Sequence, residues 1–500
     1  MHALDILVCF LGDYPWSVIQ FELALACWAV VLLVLGVVWP SHRVVFRAAL
    51  LGQGLAGLGL IAASPLSPEF LNNTFFAGLL AQTPLTQVLR LFLWGSGLGV
   101  TLLTGAWHER GKPVALAVYP LVIWTHAALM LAVQSQHFLS FFITFEAASV
   151  GLYILIGYYQ HRRPSLEAAL QYLVLSSLSA AFFLLGIALL YGVLSAGGQG
   201  ACDYLQFKCV ATALSAMPAH PVAHGAVMCI LAALLFKIGI VPFHLWVPDV
   251  YQGAPTPTTA LLAIASKITG LTLLIQWVHG PFAPLSSRLM PLLLALGATT
   301  VWVGNLTALS QNNTKRLFAL SGVAHAGYLL LGVGISIQAP WVISALVWYA
   351  LGYGLAALGL CYVLVYVYGE ACEPLHVSLS YGLFRRNGLL AICLAVCLGS
   401  LAGLPPLMGF IGKFLLLIPF FQGGLATWWW VLLTVVAGVA LSVYYYFVWM
   451  REAFFISPQQ AATIGPQLRV GWLHRCVLVA LVVGLVTLGF FQGSLGRFLF

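Results

Sequence analysis

Apolar runs of membrane-crossing length follow one another from residue 18 to residue 492, with short polar stretches between them. A hydrocarbon layer ~30 Å thick is crossed by about 20 helical residues. Inside lipid every backbone N–H and C=O must find an internal partner, which runs of this length achieve as helices. About 14 spans are expected, at 18–39, 45–64, 85–107, 113–133, 137–159, 165–194, 222–250, 257–279, 287–309, 315–334, 339–368, 387–421, 426–450 and 472–492. The expected fold class is thus an all-α polytopic membrane protein. Charge agrees: 6% of residues are charged, against about 25% in a soluble domain. The N-terminal MHALDILVCFLGDY has acids and no basic n-region, so no cleaved leader is expected.

The net charge of +8 does not mark a nucleic-acid binder. The basic residues stand in ones and twos at the ends of apolar runs, whereas nucleic-acid binders gather them on one face. One set of loops holds Arg43, Arg47, Arg110, Lys112, Arg162, Arg163, Lys315, Arg316, Arg385, Arg386, Arg451, Arg469 and Arg475; the other, with the C-terminus, holds Lys208, Arg288 and Arg497. The positive-inside rule places the first set in the cytoplasm and both termini outside. Of 20 basic residues, 20 − 13 − 3 leaves four: Arg90, Lys237, Lys267 and Lys413. Arg90 is near a span end and is expected to snorkel outward. The three lysines have no such escape.

Two spans exceed a simple crossing. Residues 222–250 contain Gly239, Pro242 and Pro248; residues 387–421 contain Gly403, Pro405, Pro406 and Gly409. Proline removes an amide donor and clashes with the preceding turn, so both are expected to be broken helices. They are the seventh and twelfth spans, five apart, and each carries a lysine near its break, Lys237 or Lys413. That pattern predicts two inverted five-helix repeats, a recurrent transporter design. The expected division is a three-helix segment (1–112), a first repeat of spans 4–8 (113–280), a second of spans 9–13 (281–450) and a final span (451–500).

A charge at bilayer depth costs at least ~2.5–3.5 kcal/mol, so intramembrane charges should be few and paired. Glu146, in LSFFITFEAASV, lies mid-span among Phe141, Phe142 and Phe145 and reads as a proton-exchange carboxylate. Lys237, at the first break, can load and release a proton if burial and a nearby carboxylate balance. Lys267 lies about ten residues into its span, near the midplane; Lys413 follows the second break. His325 is a candidate relay, since histidine titrates near neutrality. Glu167 is a weaker candidate, because an acid in a helix's first turn is already explained by the dipole. Glu22, His244 and His126 read more simply as structural. Glu146 and Lys237 are expected to form a coupled pair that titrates as a unit.

No Walker loop, dinucleotide fingerprint, haem-attachment motif or iron–sulfur cysteine run is present. NAD, flavin, iron–sulfur clusters and quinone are therefore expected in partner subunits, with no cofactor or metal in this chain. The ten cysteines lack CxxC spacing. Cys393 and Cys397, one turn apart, read as core packing. Cys202 and Cys209 share one outer loop, where a disulfide and two free thiols are both open readings.

Three stretches carry a resemblance: LLFKIGIVPFHLWVPDVYQGAPTPTTALLAIASK, GNLTALSQNNTKRLFALSGVAHAGYLLLGV and SLAGLPPLMGFIGKF. They are very similar to the proton-translocating antiporter-like membrane subunits of respiratory complex I, over roughly residues 136–415. Ala265-Ser266-Lys267, where the L and M types usually carry a histidine, points to the N type, as does an end just after the fourteenth span. The resemblance implies that Glu146, Lys237, Lys267 and Lys413 line a proton path. It also implies neighbouring membrane subunits, a quinone-reducing arm and a bacterial inner membrane. The chain would then belong to a translocase without holding a redox centre. The family's usual EAALKY lysine is Gln171 here, which weakens the case for Glu167, and FEAASVGLY replaces a leucine-rich form. The alternatives are a cation/proton antiporter subunit, a membrane-bound hydrogenase subunit, or a scaffold with a silent channel, for which three buried lysines would be a poor investment.

Overall fold

The computed structural model describes residues 16–62, 74–76, 78–111, 115–159, 161–196, 202–217, 220–368, 376–422, 426–455 and 466–490. Both termini with Arg497, Lys112, and the span ends expected at 63–64, 113–114 and 491–492 lie outside the described residues. The chain is a bundle of helices: α1 (Gln20–Val38), α2 (His42–Ala62), α3 (Pro84–Glu109), α4 (Val118–Gln134), α5 (Phe138–Ile156), α6 (Arg163–Ala196), α7 (Phe207–Ala216), α8 (Pro221–Ile238), α9 (Trp246–Gly253), α10 (Thr256–His279), α11 (Ser286–Leu309), α12 (Thr314–Ser336), α13 (Val342–Tyr368), α14 (Gly388–Ala402), α15 (Met408–Leu415), α16 (Trp429–Phe454) and α17 (Trp472–Phe490). Among the described residues, 12 helices are long and apolar enough to cross a membrane. The expected all-α polytopic class is what the chain adopts.

Burial sorts the helices into a hub and a rim. The membrane windows of α10 and α12 are wholly buried and that of α13 is 94% buried, whereas those of α1, α2, α6 and α17 are at most 28% buried. The hub helices are apolar all round because protein surrounds them; the rim helices are apolar all round because lipid can cover their outer faces. Small residues bring α11 and α12 together: a Cβ on Gly304 would stand 2.6 Å from Ala324 N, and one on Gly327 would stand 2.9 Å from Gly297 O.

The structure interrupts both over-long helices where glycine and proline stand. α8 ends on Gly239 (φ 83°), whose amide donates to Leu235 O and Phe236 O while Ile240 N also donates to Leu235 O. α14 ends on Gly403 (φ 89°), with Gly399 O and Ser400 O accepting its amide and Leu404 N donating to Gly399 O. The left-handed turn favours glycine, because a side chain there costs about 1–2 kcal/mol. Pro242 and Pro406 each follow three residues on. An indole N–H closes the first break, Trp246 Nε1 donating to Phe236 O at 3.0 Å.

Two features depart from expectation, and one open reading is decided. The stretch between α6 and α8, read as loop, contains α7, whose ten residues are too short to span. Cys202 and Cys209 there form a disulfide. The eighth span is not a uniform α-helix: Leu262–Ser266 is π-helical, ending directly before Lys267. Cys393 and Cys397 pack in the core as expected, buried with sulfurs 3.9 Å apart.

Candidate functional site: a line of buried lysines

Glu146 and Lys237 meet, as expected. Lys237 lies two residues before the turn at Gly239, on α8, and its ammonium reaches α5 and α6. It donates to Glu146 Oε1 at 3.2 Å, Ser149 Oγ at 2.7 Å and Ser176 Oγ at 2.6 Å. An ammonium has three N–H donors, so this one is fully satisfied. Tyr153 OH donates to the same Ser176 oxygen at 2.7 Å. Lys237 is 5% exposed and the Glu146 side chain 26%, so the carboxylate stands on the outward side of the pair. A cavity of about 20 Å³ among Phe141, Phe145, Phe183, Glu146 and Lys237 adjoins them, room for about one water.

The next lysine is held differently. The π turn ahead of Lys267 offsets its helix face; such bulges recur at functional sites. Lys267 is buried, with Tyr353 OH at 3.4 Å and its nitrogen 5.8 Å and 5.4 Å from the ring centres of Tyr251 and Tyr353. Cation–π attraction is worth up to about 2 kcal/mol when desolvated. Among the described residues the buried Tyr251 hydroxyl has no hydrogen-bond partner. Gly322 of α12 makes the room: a Cβ there would lie 2.6 Å from Lys267 Nζ and 3.1 Å from Tyr353 OH.

His325, one turn beyond Gly322, continues the line. Its Nδ1 is 2.6 Å from Tyr349 OH, and its ring centre is 5.1 Å from that of Tyr353 and 6.2 Å from that of Tyr328. The Tyr328 ring lies 5.0 Å from Lys413 Nζ. Lys413, on α15, turns back to cap the broken end of α14, donating to Leu401 O at 2.8 Å and Ala402 O at 3.2 Å. A cation suits that negative end of the helix dipole. Among the described residues no carboxylate forms an ion pair with Lys267 or Lys413. Lys237 alone of the three has a counter-charge; the others rest on dipoles and π faces.

The remaining candidates fall elsewhere. Glu167 is exposed in the first turns of α6, apart from the interior line. His244 is half-buried in the first break. His126 is buried in α4 with Nδ1 2.8 Å from Val122 O, one turn back on its own helix.

Arg90 does not snorkel. It is 1% exposed and grips Glu22, itself fully buried, through Nε–Oε1 at 2.7 Å and Nη2–Oε2 at 3.0 Å. Gln87 Oε1 and Val18 O accept its other bonds, and Gln134 Nε2 donates to Glu22 at 3.0 Å. The cluster ties α1, α3 and α4 together. Depth misled the sequence reading: both residues are within two turns of a helix end, but segment 16–19 and Gln82 cover that end, Gln82 Nε2 donating to Val18 O at 3.1 Å. Opposite charges on two apolar helices were the signal available.

The family described as "NADH:quinone oxidoreductase/Mrp antiporter, TM" matches residues 135–442, a stretch that contains Glu146, Lys237, Lys267, His325 and Lys413 and excludes the Glu22–Arg90 pair. The chain belongs to this antiporter-like family. The NADH-quinone oxidoreductase subunit N 1 of Opitutus terrae is 37% identical over 97% of each chain. A chain in respiratory complex I from Thermus thermophilus with bound aureothin is 32% identical, with a TM-score of 0.77 over 95% of this chain and 98% of that one. A chain of the Mrp complex from Dietzia sp. DQ12-45-1b reaches a TM-score of 0.80 over 96% of each chain at 18% identity, which shows a shared fold.

Gly322→Ala should separate packing from function in this family member. The methyl meets the flexible end of Lys267; the ~1–3 kcal/mol that overpacking costs is offset in part by the ~1 kcal/mol alanine gains over glycine within a helix, while the ammonium is pushed from Tyr353. Proton pumping should fall several-fold in membranes with unchanged amounts of the assembled complex. Unchanged pumping would show that the position of Lys267 does not matter.

Proposed function

We propose that this chain is the N-type membrane subunit of a bacterial NADH:quinone oxidoreductase, translocating protons while partner subunits carry electrons from NADH to quinone. The observation that carries the reading is the fully satisfied Lys237 ammonium beside Glu146, followed by Lys267, His325 and Lys413 through the buried hub. Likeness to subunit N at 37% identity over nearly the whole chain favours complex I over a cation/proton antiporter or hydrogenase; the Mrp likeness is one of fold. In this reading the NAD, flavin, iron–sulfur and quinone chemistry belongs to the partners.

In this reading α4 and the broken α14–α15 segment also cross, and with the twelve long apolar helices among the described residues they make fourteen spans. Two inverted repeats, 113–280 and 281–450, accord with left-handed glycines followed three residues later by proline in each break. Both termini lie on the periplasmic side in this scheme, which places the Cys202–Cys209 disulfide in the oxidising compartment.

The proton steps follow from the partners of each nitrogen. While Glu146 holds Lys237, the proton stays. A shift of Glu146, at the outward side of the pair, removes the counter-charge and leaves two serine hydroxyls, so Lys237 releases its proton inward. Lys267 accepts it against the Tyr251 and Tyr353 faces. His325, between Tyr353 and Tyr328, passes it to Lys413 at the second break. Waters bridge the gaps beyond hydrogen-bond reach.

Purification through a tag on this chain tests the assignment. Flavin- and iron–sulfur-bearing partners with NADH-driven quinone reduction and proton uptake are expected. A short set of antiporter subunits that exchanges sodium for protons without NADH would overturn it.

A further inference from the structure

A groove of about 580 Å³ opens on the arginine-rich side of the molecule, away from the lysine line. Its walls are the first turns of α2, the last turn of α3 and the first turn of α17. Arg43 and Arg47 stand one turn apart and exposed on α2. His42 stacks on His108 with ring centres 3.5 Å apart, and Tyr119 OH lies 2.6 Å from His42 Nε2. His474 is 1% exposed at the groove's inner wall, with its Nε2 3.4 Å from Glu109 Oε1; among the described residues neither ring nitrogen makes a hydrogen bond. Phe46, Leu50 and Trp472 supply the apolar part of the lining.

The groove is shaped for an anion at the membrane surface. Two helices, α2 and α17, begin there, and a helix N-terminus favours negative charge. Two arginines and three histidines face one carboxylate, Glu109, which His474 draws aside. Trp472, 77% exposed, is the residue type that settles at headgroup level. Below the arginines the surface turns apolar, with Leu51 and Leu55 on α2 and Val479 and Val483 on α17 all exposed. A free phosphate would leave that apolar strip uncovered. A zwitterionic lipid would bring its ammonium against Arg43 and Arg47.

We propose that this groove holds the phosphodiester headgroup of an anionic glycerophospholipid, with an acyl chain lying along Phe46 and Leu50. Arg43 and Arg47 take the phosphate oxygens, and the His42–His108 stack lies beside them on the groove wall. The lipid comes from the leaflet on the arginine-rich side, where anionic headgroups and basic residues attract one another.

The test uses the intact complex, purified and delipidated, then titrated in detergent with phosphatidylglycerol or phosphatidylcholine, with lipid on this chain counted by native mass spectrometry. Wild type should hold phosphatidylglycerol over phosphatidylcholine by about 30-fold, the factor two interfacial arginines supply. Arg43→Gln with Arg47→Gln should abolish that preference; Arg162→Gln, on another exposed loop, should keep it. Both arginines are exposed, so assembly should survive, and NADH-driven quinone reduction checks that it does. A photo-crosslinking residue in place of Trp472 should label lipid. Equal retention of the two lipids, an unchanged double variant, displacement by inorganic phosphate alone, or a crosslink to a neighbouring subunit would each overturn the proposal.

Discussion

Membranes carrying Lys237→Ala should pump protons at least about tenfold more slowly than wild type at equal amounts of assembled complex, equivalent to ~1.4 kcal/mol in the limiting barrier. The variant deletes the donor of three hydrogen bonds and leaves Glu146 without its counter-charge. The Glu146 side chain stands at the outward side of the pair, 26% exposed, so its orphaning leaves the packed hub untouched, and assembly should suffer less than transport. Glu146→Gln should show the same ordering: the amide oxygen can still accept from Lys237, but no charge remains to hold or release the proton. Glu167→Gln, exposed at the start of α6, is the matched control and should pump as wild type does. The measurement is NADH-driven acidification in inverted vesicles, normalised to NADH oxidation by an artificial acceptor. Normal pumping in the Lys237 and Glu146 variants would remove the pair from the proton path, whatever the family.

Arg90→Ala should act on the opposite axis, on stability before transport. Removing one partner of a buried ion pair costs about 3–5 kcal/mol, because the other charge is left unpaired in low dielectric. Here Glu22 would keep one bond from Gln134, Val18 O would keep only the bond from Gln82, and Gln87 Oε1 would lose its donor. Loosening of α1 from α3 should appear as a lower melting temperature of the complex and less assembled chain. Glu22→Gln should also destabilise, since it strands the guanidinium, so it is no neutral control. The double variant Glu22→Leu/Arg90→Met should recover most of the loss, as apolar replacements of buried ion pairs often do. An Arg90→Ala complex that melts with wild type would show that the cluster contributes nothing to holding the N-terminal helices.

Much of this was legible in the sequence, and for a physical reason. In lipid, apolar length dictates crossing helices, and proline or glycine inside an over-long run dictates a break, so both breaks were locatable from Gly239, Pro242, Gly403 and Pro406. The same scarcity of charge made Glu146, Lys237, Lys267 and Lys413 conspicuous, since each is costly unless partnered. Partnership is what one-dimensional spacing does not encode. Lys237 joins Glu146 across 91 positions of sequence, an expectation that rested on mutual cost. Nothing in the spacing distinguished Lys413, which caps a helix end, from Lys267, which rests on tyrosine rings. Arg90 and Glu22 looked like end-of-span charges because depth was read along each helix separately; the covering segment at 16–19 and Gln82 comes from elsewhere in the chain. The π turn before Lys267 is likewise invisible in ALLAIASK, because a one-residue change in hydrogen-bond register depends on how α10 packs in the hub. The sequence by itself determined that this chain lies in a membrane, where its helices break and which charges must be explained. Tertiary packing decided which charges meet, because a buried charge is stabilised by the donors and acceptors that neighbouring helices bring to it.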